Sequence, residues 1–515
     1  MITDRLTALD ASFVWFEHAG APAHIGSVAT FEAAPLLDPS GRLRLADIRR
    51  RIDARLDPLP RLRRRLATVP YDLDRPFWVD DPDFAIARHV TERRLPPPGD
   101  DATLRRVAGE LMSELLPRDR PLWDLHFLTG LDRGRIGLVQ RIHHAMADGV
   151  SGVDLATLVL DLEPDVPAPP LRPAWSAAPL PDHATLLDAG LRHRAADPLR
   201  LARAAAHTAR HPAGLARALR TVAGGLGPAL AGGGVAPRSS LNGPLLGARR
   251  LAWVRTDVAS ARAAGHRAGA TLNDVVLAAV TGGLRQLLLG RGETLPCDAV
   301  LKAMVPVSLR GAGDHDTIGN RVGAIYAPLP VGIGDPAHRL AAVGEAMRRC
   351  KSRPEADGMA LVLAAADALP PFVARLLTRS FAHQPFVNLV VTNVPGPPFP
   401  LYLAGARMLE AYPVVPLGAN LTVGVAVLSY DGSLAITLTA DDRACSDVDV
   451  FADGIARSLA QLGVTASPDQ SARQPGEGLR NAAGCVMDLA PLVHHGDVAQ
   501  QVGQVGRRVA QDGEA

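Results

Sequence analysis

The sequence predicts a mixed α/β protein, sheets and helices together, built as two halves of comparable size. Three observations carry this. Residues 1 to about 162 alternate strand-like and helix-like stretches, residues from about 246 to 465 do so again, and the chain between them is rich in proline, arginine and glycine. At 515 residues the chain is long enough for two or more domains with cores of their own. No short-period repeat is visible.

In the first half, "HIGSVATFE" (24–32) and "RIGLVQRIHH" (135–144) read as strands. "RLADIRRRIDARL" (44–56) and "TLRRVAGELMSELL" (103–116) carry the apolar spacing of helices, and a further helix is expected over about 151–162. "EPDVPAPPLRPAWSAAPLPD" (163–182) is too dense in proline to continue helix or sheet and reads as a linker. In the arginine-rich stretch 188–222, Arg203, Arg210 and Arg217 recur every seven residues on one helical face. Leu201, Leu215 and Leu219 lie on another, and Pro212 kinks or splits the helix. Two readings stay open there: a basic amphipathic element resting on an anionic membrane, or a solvated helical pair on the surface. "GGLGPALAGGG" (224–234) is a flexible break.

In the second half, "TLNDVVLAAVTGGLRQLLL" (271–289) reads as a helix capped by Thr271 or Asn273. "AVLKAMVPVSL" (299–309), "FVNLVVTNVPG" (386–396) and "LTVGVAVLSYDGSLAITLTAD" (421–441) read as strands. The last is folded into a hairpin at Asp431-Gly432. The expected domains are therefore 1–162, a linker and helical segment over 163–245, 246–465, and a poorly ordered polar tail over 466–515.

Composition excludes several classes. Hydrophobic residues make up 47% and charged residues 21%, with a net charge of +2, so nothing points to a nucleic-acid partner. Four scattered cysteines without a CxxC spacing suggest neither a zinc site nor a disulfide framework. No signal peptide and no uninterrupted run of about 18 apolar residues is evident, so any membrane contact is expected to be peripheral.

The chemistry concentrates in "HHAMADG" (143–149). On a strand, Ile136, Leu138, Gln140, Ile142 and His144 share one face, and Gly137, Val139, Arg141 and His143 the other. Adjacent strand histidines point apart and cannot easily bind one ion, so no metal is expected. A histidine at a strand end, followed by a turn with Asp148 and Gly149, suits general-base work on a hydroxyl or amine. There is no GxSxG elbow for a serine hydrolase.

These residues match HHxxxDG, the signature of the coenzyme A-dependent acyltransferase superfamily that includes chloramphenicol acetyltransferase and peptide-synthetase condensation domains. "LDASFVWFE" (9–17), "PLWDLHFLTGL" (121–131), "LNGPLLGARRLAW" (241–253), "TLNDVVLAAV" (271–280), "MVPVSLR" (304–310), "GNRVG" (319–323) and "NVPGP" (393–397) narrow the resemblance. Together they resemble the bacterial wax ester synthase/diacylglycerol acyltransferase family over about residues 1–465.

The resemblance implies two similar chloramphenicol-acetyltransferase-like domains with a tunnel between them. It implies acyl transfer from acyl-coenzyme A, a substrate rather than a cofactor, to diacylglycerol or a long-chain alcohol. His144 would be the base, supported by His143, with Asp148 structural and paired to Arg310. Pro121, Leu122 and Trp123, and Asn273 and Asp274, are family motifs implied to bind substrate. Core packing is the alternative for Trp123 and helix capping for Asn273. The expected location is cytoplasmic, in peripheral contact with the inner membrane or lipid droplets. Two rivals remain: a condensation enzyme using a carrier-protein donor, and a catalytically silent lipid-binding protein.

Overall fold

The computed structural model describes residues 4–146, 159–167, 175–195, 235–308, 322–351, 371–380 and 383–467. In chain order the first half contains α1 (Ala8–Phe16), β1 (His24–Glu32), α2 (Leu45–Asp53), β2 (Arg64–Ala67), β3 (Phe77–Asp80), β4 (Val90–Arg94), α3 (Asp101–Ser113), β5 (Trp123–Leu131) and β6 (Arg135–His143). The second half contains β7 (Arg249–Asp257), α4 (Val258–Arg267), α5 (Leu272–Gly290), β8 (Leu301–Ser308), β9 (Val322–Leu329), α6 (Pro336–Lys351), α7 (Pro371–Ser380), β10 (Leu389–Pro395), β11 (Tyr402–Leu403), β12 (Ala406–Val414), β13 (Val423–Tyr430), β14 (Ser433–Asp441) and α8 (Val448–Gln461).

Among the described residues, the strands form two six-stranded mixed sheets, β11-β12-β1-β6-β5-β4 and β7-β14-β13-β10-β8-β9, with β2 and β3 as a small separate ribbon. Among the described residues, the stretches read as strands and helices fall on β1, β6, β8, β10, β13, β14, α2, α3 and α5 to within a few residues. The Asp431-Gly432 hairpin is present, and both residues take the positive φ that a tight two-residue turn needs. The N-cap of α5 is Thr271, which forms a reciprocal capping box with Asp274.

The first sheet borrows strands from far along the chain. β12 pairs antiparallel with β1, setting Val28 against Tyr412 and Gly26 against Val414. Leu403, Ala406 and Met408 then bury with Phe31, Phe127 and Leu138 in the first core. A boundary drawn along the sequence therefore does not separate the two sheets.

The halves share a third core, in which α3 lies between them. Its Val107, Leu111 and Met112 pack with Val28 and Val139 of the first sheet and Leu251 and Ala435 of the second. Gly109 permits this approach: a Cβ there would sit 2.3 Å from the Arg249 carbonyl oxygen. The Ser113 hydroxyl accepts a hydrogen bond from the Arg249 N–H at 2.7 Å. α5 is long and apolar enough to cross a membrane, but two-thirds of its most apolar window is buried, and it packs within the second core against α8.

Of the interdomain stretch, a helix over 183–195 is described and packs Leu186 against Val69, Phe77 and Val79. Arg203, Arg210 and Arg217 lie outside the described residues, as do most of the helix expected at 151–162 and the tail beyond 467.

Candidate active site

The two faces of β6 carry different chemistry, as its alternation predicts. Ile136, Leu138 and Ile142 enter the core that holds α2, whereas Val139 enters the core shared with α3. Arg141 and His143 follow Val139 on the α3 face.

On that face every buried charge finds a partner. Arg141 grips Asp124 with two hydrogen bonds, Nε to Oδ1 at 2.8 Å and Nη2 to Oδ2 at 2.6 Å. Its Nη1 donates to the carbonyls of Leu111 and Glu114 at the C-terminal end of α3, where free carbonyls favour a cation. His126 contacts Asp124 at 3.2 Å. Burial pushes the Asp124 carboxyl up, but the hydrogen bonds and charges of His126 and Arg141 outweigh it and hold the pKa at about 2. His24, opposite His143 across the β1–β6 ladder, has Nε2 2.9 Å from the Met112 carbonyl. Burial lowers its pKa to about 4.

His143 is fully buried. Its Nδ1 accepts the Ala145 N–H at 3.0 Å, which places the ring proton on Nε2, 3.4 Å from Glu17 Oε1. Glu17 caps the C-terminal end of α1 and is tied down further. It accepts the Ala23 N–H at 3.0 Å and Arg118 Nη2 at 3.0 Å. Burial raises the Glu17 pKa, but His143, Ala23 and Arg118 together hold it at about 2.

His144 begins a short 3₁₀ turn with Ala145 and Met146, both buried in the first core. Its N–H donates to the Ala23 carbonyl at 2.8 Å. Its ring stacks on Phe13 of α1, with centroids 3.8 Å apart and planes 16° from parallel. The residue keeps partial solvent contact, yet enough protein surrounds the ring for burial to draw its pKa from 6.5 to about 4, with the nearby His143 acting the same way. His144 is therefore neutral at pH 7 and able to accept a proton. One turn of α1 thus serves both histidines: Phe13 covers His144, and Glu17, four residues on, holds His143.

Among the described residues no three His, Cys, Asp or Glu side chains gather as metal ligands. Asp148, Gly149 and Arg310 lie outside the described residues, so the expected Asp148–Arg310 pairing has no geometry here.

The catalytic-domain family of wax ester synthases/diacylglycerol acyltransferases matches residues 6–276, and the C-terminal domain of that family matches residues 318–463. The chain belongs to this family. A probable diacylglycerol O-acyltransferase of Mycobacterium tuberculosis, tgs1, is 33% identical over 470 residues, spanning 89% of this chain and 96% of the relative. A second from the same species, tgs2, is 32% identical over 447 residues, spanning 84% and 92%. The solved wax ester synthase/diacylglycerol acyltransferase of Marinobacter aquaeolei VT8 superposes with a TM-score of 0.63 at 27% identity, covering 89% of this chain and 98% of that one. The first condensation domain of the calcium-dependent antibiotic synthetase shares the fold, with a TM-score of 0.54 at 17% identity over 92% and 98% of the chains.

In this acyltransferase the other family motifs divide by environment. Trp123 is buried, donates its indole N–H to the Leu62 carbonyl at 2.8 Å, and stacks on His89. Leu122 is buried beside it, and its carbonyl accepts the His143 N–H at 2.9 Å, while Pro121 precedes β5. This motif thus reaches the histidines through the backbone. Asp274 is buried in the capping box of α5. Asn273, only partly buried, accepts a hydrogen bond of 3.4 Å from Asn393 on β10, which joins the ND and NVPGP stretches.

Sequence reasoning singled out neither Glu17 nor Phe13, although both lie in a stretch quoted for the resemblance. The only signal was an acid ending an apolar helix. Their pairing with the histidines depends on the fold of α1 over the end of β6.

Proposed function

We propose that this acyltransferase moves a long-chain fatty acyl group from acyl-coenzyme A to diacylglycerol, forming triacylglycerol, and also accepts long-chain alcohols to form wax esters. The observation that carries this reading is His144: a neutral, partly exposed imidazole at the end of β6, backed by an apolar core and fixed by Phe13 and Ala23. The names of its relatives support the acceptor class.

An alcohol attacks a thioester poorly while it keeps its proton. His144 takes that proton as the new C–O bond forms. The C–S bond then breaks, and the proton passes from His144 to the departing coenzyme A sulfur. No acyl-enzyme is needed, because the thiolate is a good leaving group. Glu17 and His143 position the strand end and take no part in the proton transfer. The protein would work in the cytoplasm, against the inner face of the membrane or a lipid droplet.

The test is purified protein with palmitoyl-coenzyme A and, in parallel, diacylglycerol, hexadecanol or water as acceptor. Triacylglycerol and wax ester are expected, with little free fatty acid. Transfer from an acyl-carrier protein but not from acyl-coenzyme A would overturn the donor, and no ester from either would overturn the reading.

A further inference from the structure

We infer that Trp175, in the stretch that joins the two halves, is a positioning residue for acyl transfer, acting through a line of aromatic and cationic contacts that ends on the strand holding the paired histidines. The Arg63 guanidinium carbon lies 4.9 Å from the centre of the Trp175 ring and 5.7 Å from that of Phe84. Both distances are within reach of a cation–π contact. Phe84 stacks on His89, with centroids 5.2 Å apart and planes 22° from parallel. His89 stacks in turn on Trp123, at 4.6 Å and 19°. Trp175, Arg63, Phe84, His89 and Trp123 are thus in unbroken contact, from the joining stretch to the start of β5.

The far end of this line is where the histidines are held. His89 grips the start of β5 twice: its Nδ1 donates to the Trp123 carbonyl at 2.8 Å, and its own carbonyl accepts the Leu125 N–H at 2.7 Å. Burial lowers the His89 pKa to about 4, so the ring is neutral and keeps its one proton on Nδ1 for that bond. Trp123 pairs with Ile142 across the β5–β6 ladder, and the Leu122 carbonyl accepts the His143 N–H at 2.9 Å. Arg63 is buried, and its neighbour Leu62 takes the Trp123 indole N–H, so a shift of Arg63 reaches Trp123 by two routes. The near end depends on Trp175. Its indole N–H has no hydrogen-bond partner among the described residues, so stacking on Arg63 seats the ring and phenylalanine can stand in for it. The joining stretch stays docked without that ring. Arg51 donates to the Val166 carbonyl at 2.9 Å, the Ala178 N–H donates to Asp80 at 3.2 Å, and Leu186 packs on the ribbon.

This inference rests on the proposed reaction only for its kinetic readout, so a structural readout is measured beside it on the full chain. With palmitoyl-coenzyme A and hexadecanol, Trp175→Ala should lower kcat by about fivefold and leave KM within about twofold of wild type. Trp175→Phe should recover most of the rate. In hydrogen exchange, peptides covering 121–125 and 140–146 should exchange faster in Trp175→Ala than in wild type, and at close to the wild-type rate in Trp175→Phe. Leu186→Ala removes another contact of the same stretch, outside the line, and should change neither readout. Phe84→Leu breaks the line in its middle, and in that background Trp175→Ala should lower kcat by less than about twofold. Unchanged exchange at 140–146, equal effects from Leu186→Ala, or full additivity with Phe84→Leu would each overturn the positioning role and leave Trp175 a packing residue. Faster exchange with an unchanged kcat would overturn it as well. If wild type makes no ester while exchange responds as stated, the hold on the histidines stands and the proposed reaction falls instead.

Discussion

The adjacent histidines at the end of β6 sit in opposite surroundings. His143 faces a polar layer, in which Glu17 pairs with Arg118, Arg141 with Asp124, and His24 with the end of α3. His144 faces an apolar core and an aromatic ring, and is partly exposed. The difference supports the proposal that His144, and not His143, takes the proton. A buried ring held between Glu17 and the Ala145 N–H leaves little room for a substrate, whereas a partly exposed imidazole stacked on a phenyl ring can meet one.

The sharpest way to break this comparison is to exchange the roles. His144→Ala should lower kcat for ester formation by about 10²–10⁴-fold, the usual worth of a positioned base, with an unchanged melting temperature. An equal loss of stability and activity would place His144 among the structural residues instead.

Next in size is a stability effect on the other face. Arg141→Met leaves Asp124 buried without its bidentate partner, and breaking such a pair costs about 3–5 kcal/mol. Denaturant unfolding should show this. The double variant Arg141→Met/Asp124→Leu, which removes both charges, should recover much of the loss. If it recovers none, the layer acts through shape rather than charge.

Glu17→Gln tests the link between the faces. It keeps the size of the side chain but removes the carboxylate that accepts from Ala23 and Arg118 and faces His143. Loss of a charge-assisted contact of about 1.5 kcal/mol corresponds to roughly a tenfold fall in kcat, with KM little changed. Glu17→Asp should restore less than wild type but more than Gln. A KM effect alone would assign Glu17 to substrate binding.

Much of this arrangement was legible in the sequence, and the reasons are local. Alternation along "RIGLVQRIHH" separated His143 from His144 because side chains on a strand change face at every residue. Asp431-Gly432 announced a hairpin because few other pairs accept two positive φ values. What could not be read depends on contacts between distant residues. Nothing near Glu17 reveals that Ala23, Arg118 and His143 converge on it. Nothing in "ARMLEAYPV" (406–414) says that it will pair with β1 rather than stay with its neighbours in the second sheet. Trp123 could line a passage or fill a core on sequence grounds, and only the carbonyl of Leu62 within reach of its indole N–H shows which packing the fold selects.

The smallest expected effect concerns Phe13 and acidity. Burial draws the His144 pKa down to about 4, so the ring is neutral above that pH and protonated below it. The acid limb of kcat/KM should therefore fall through about pH 4 rather than 6.5. Phe13→Ala uncovers one face of the ring to water, which lowers the cost of charging it. The pKa should then move up toward the ordinary value by about one unit, and the acid limb should move with it, so that the variant loses activity at a pH where wild type still works. At pH 8, with both rings neutral, the two proteins should differ by less than about threefold. A limb that stays near pH 4 in the variant would mean that burial by the core beneath, not by the stacked phenyl ring, sets the basicity of His144.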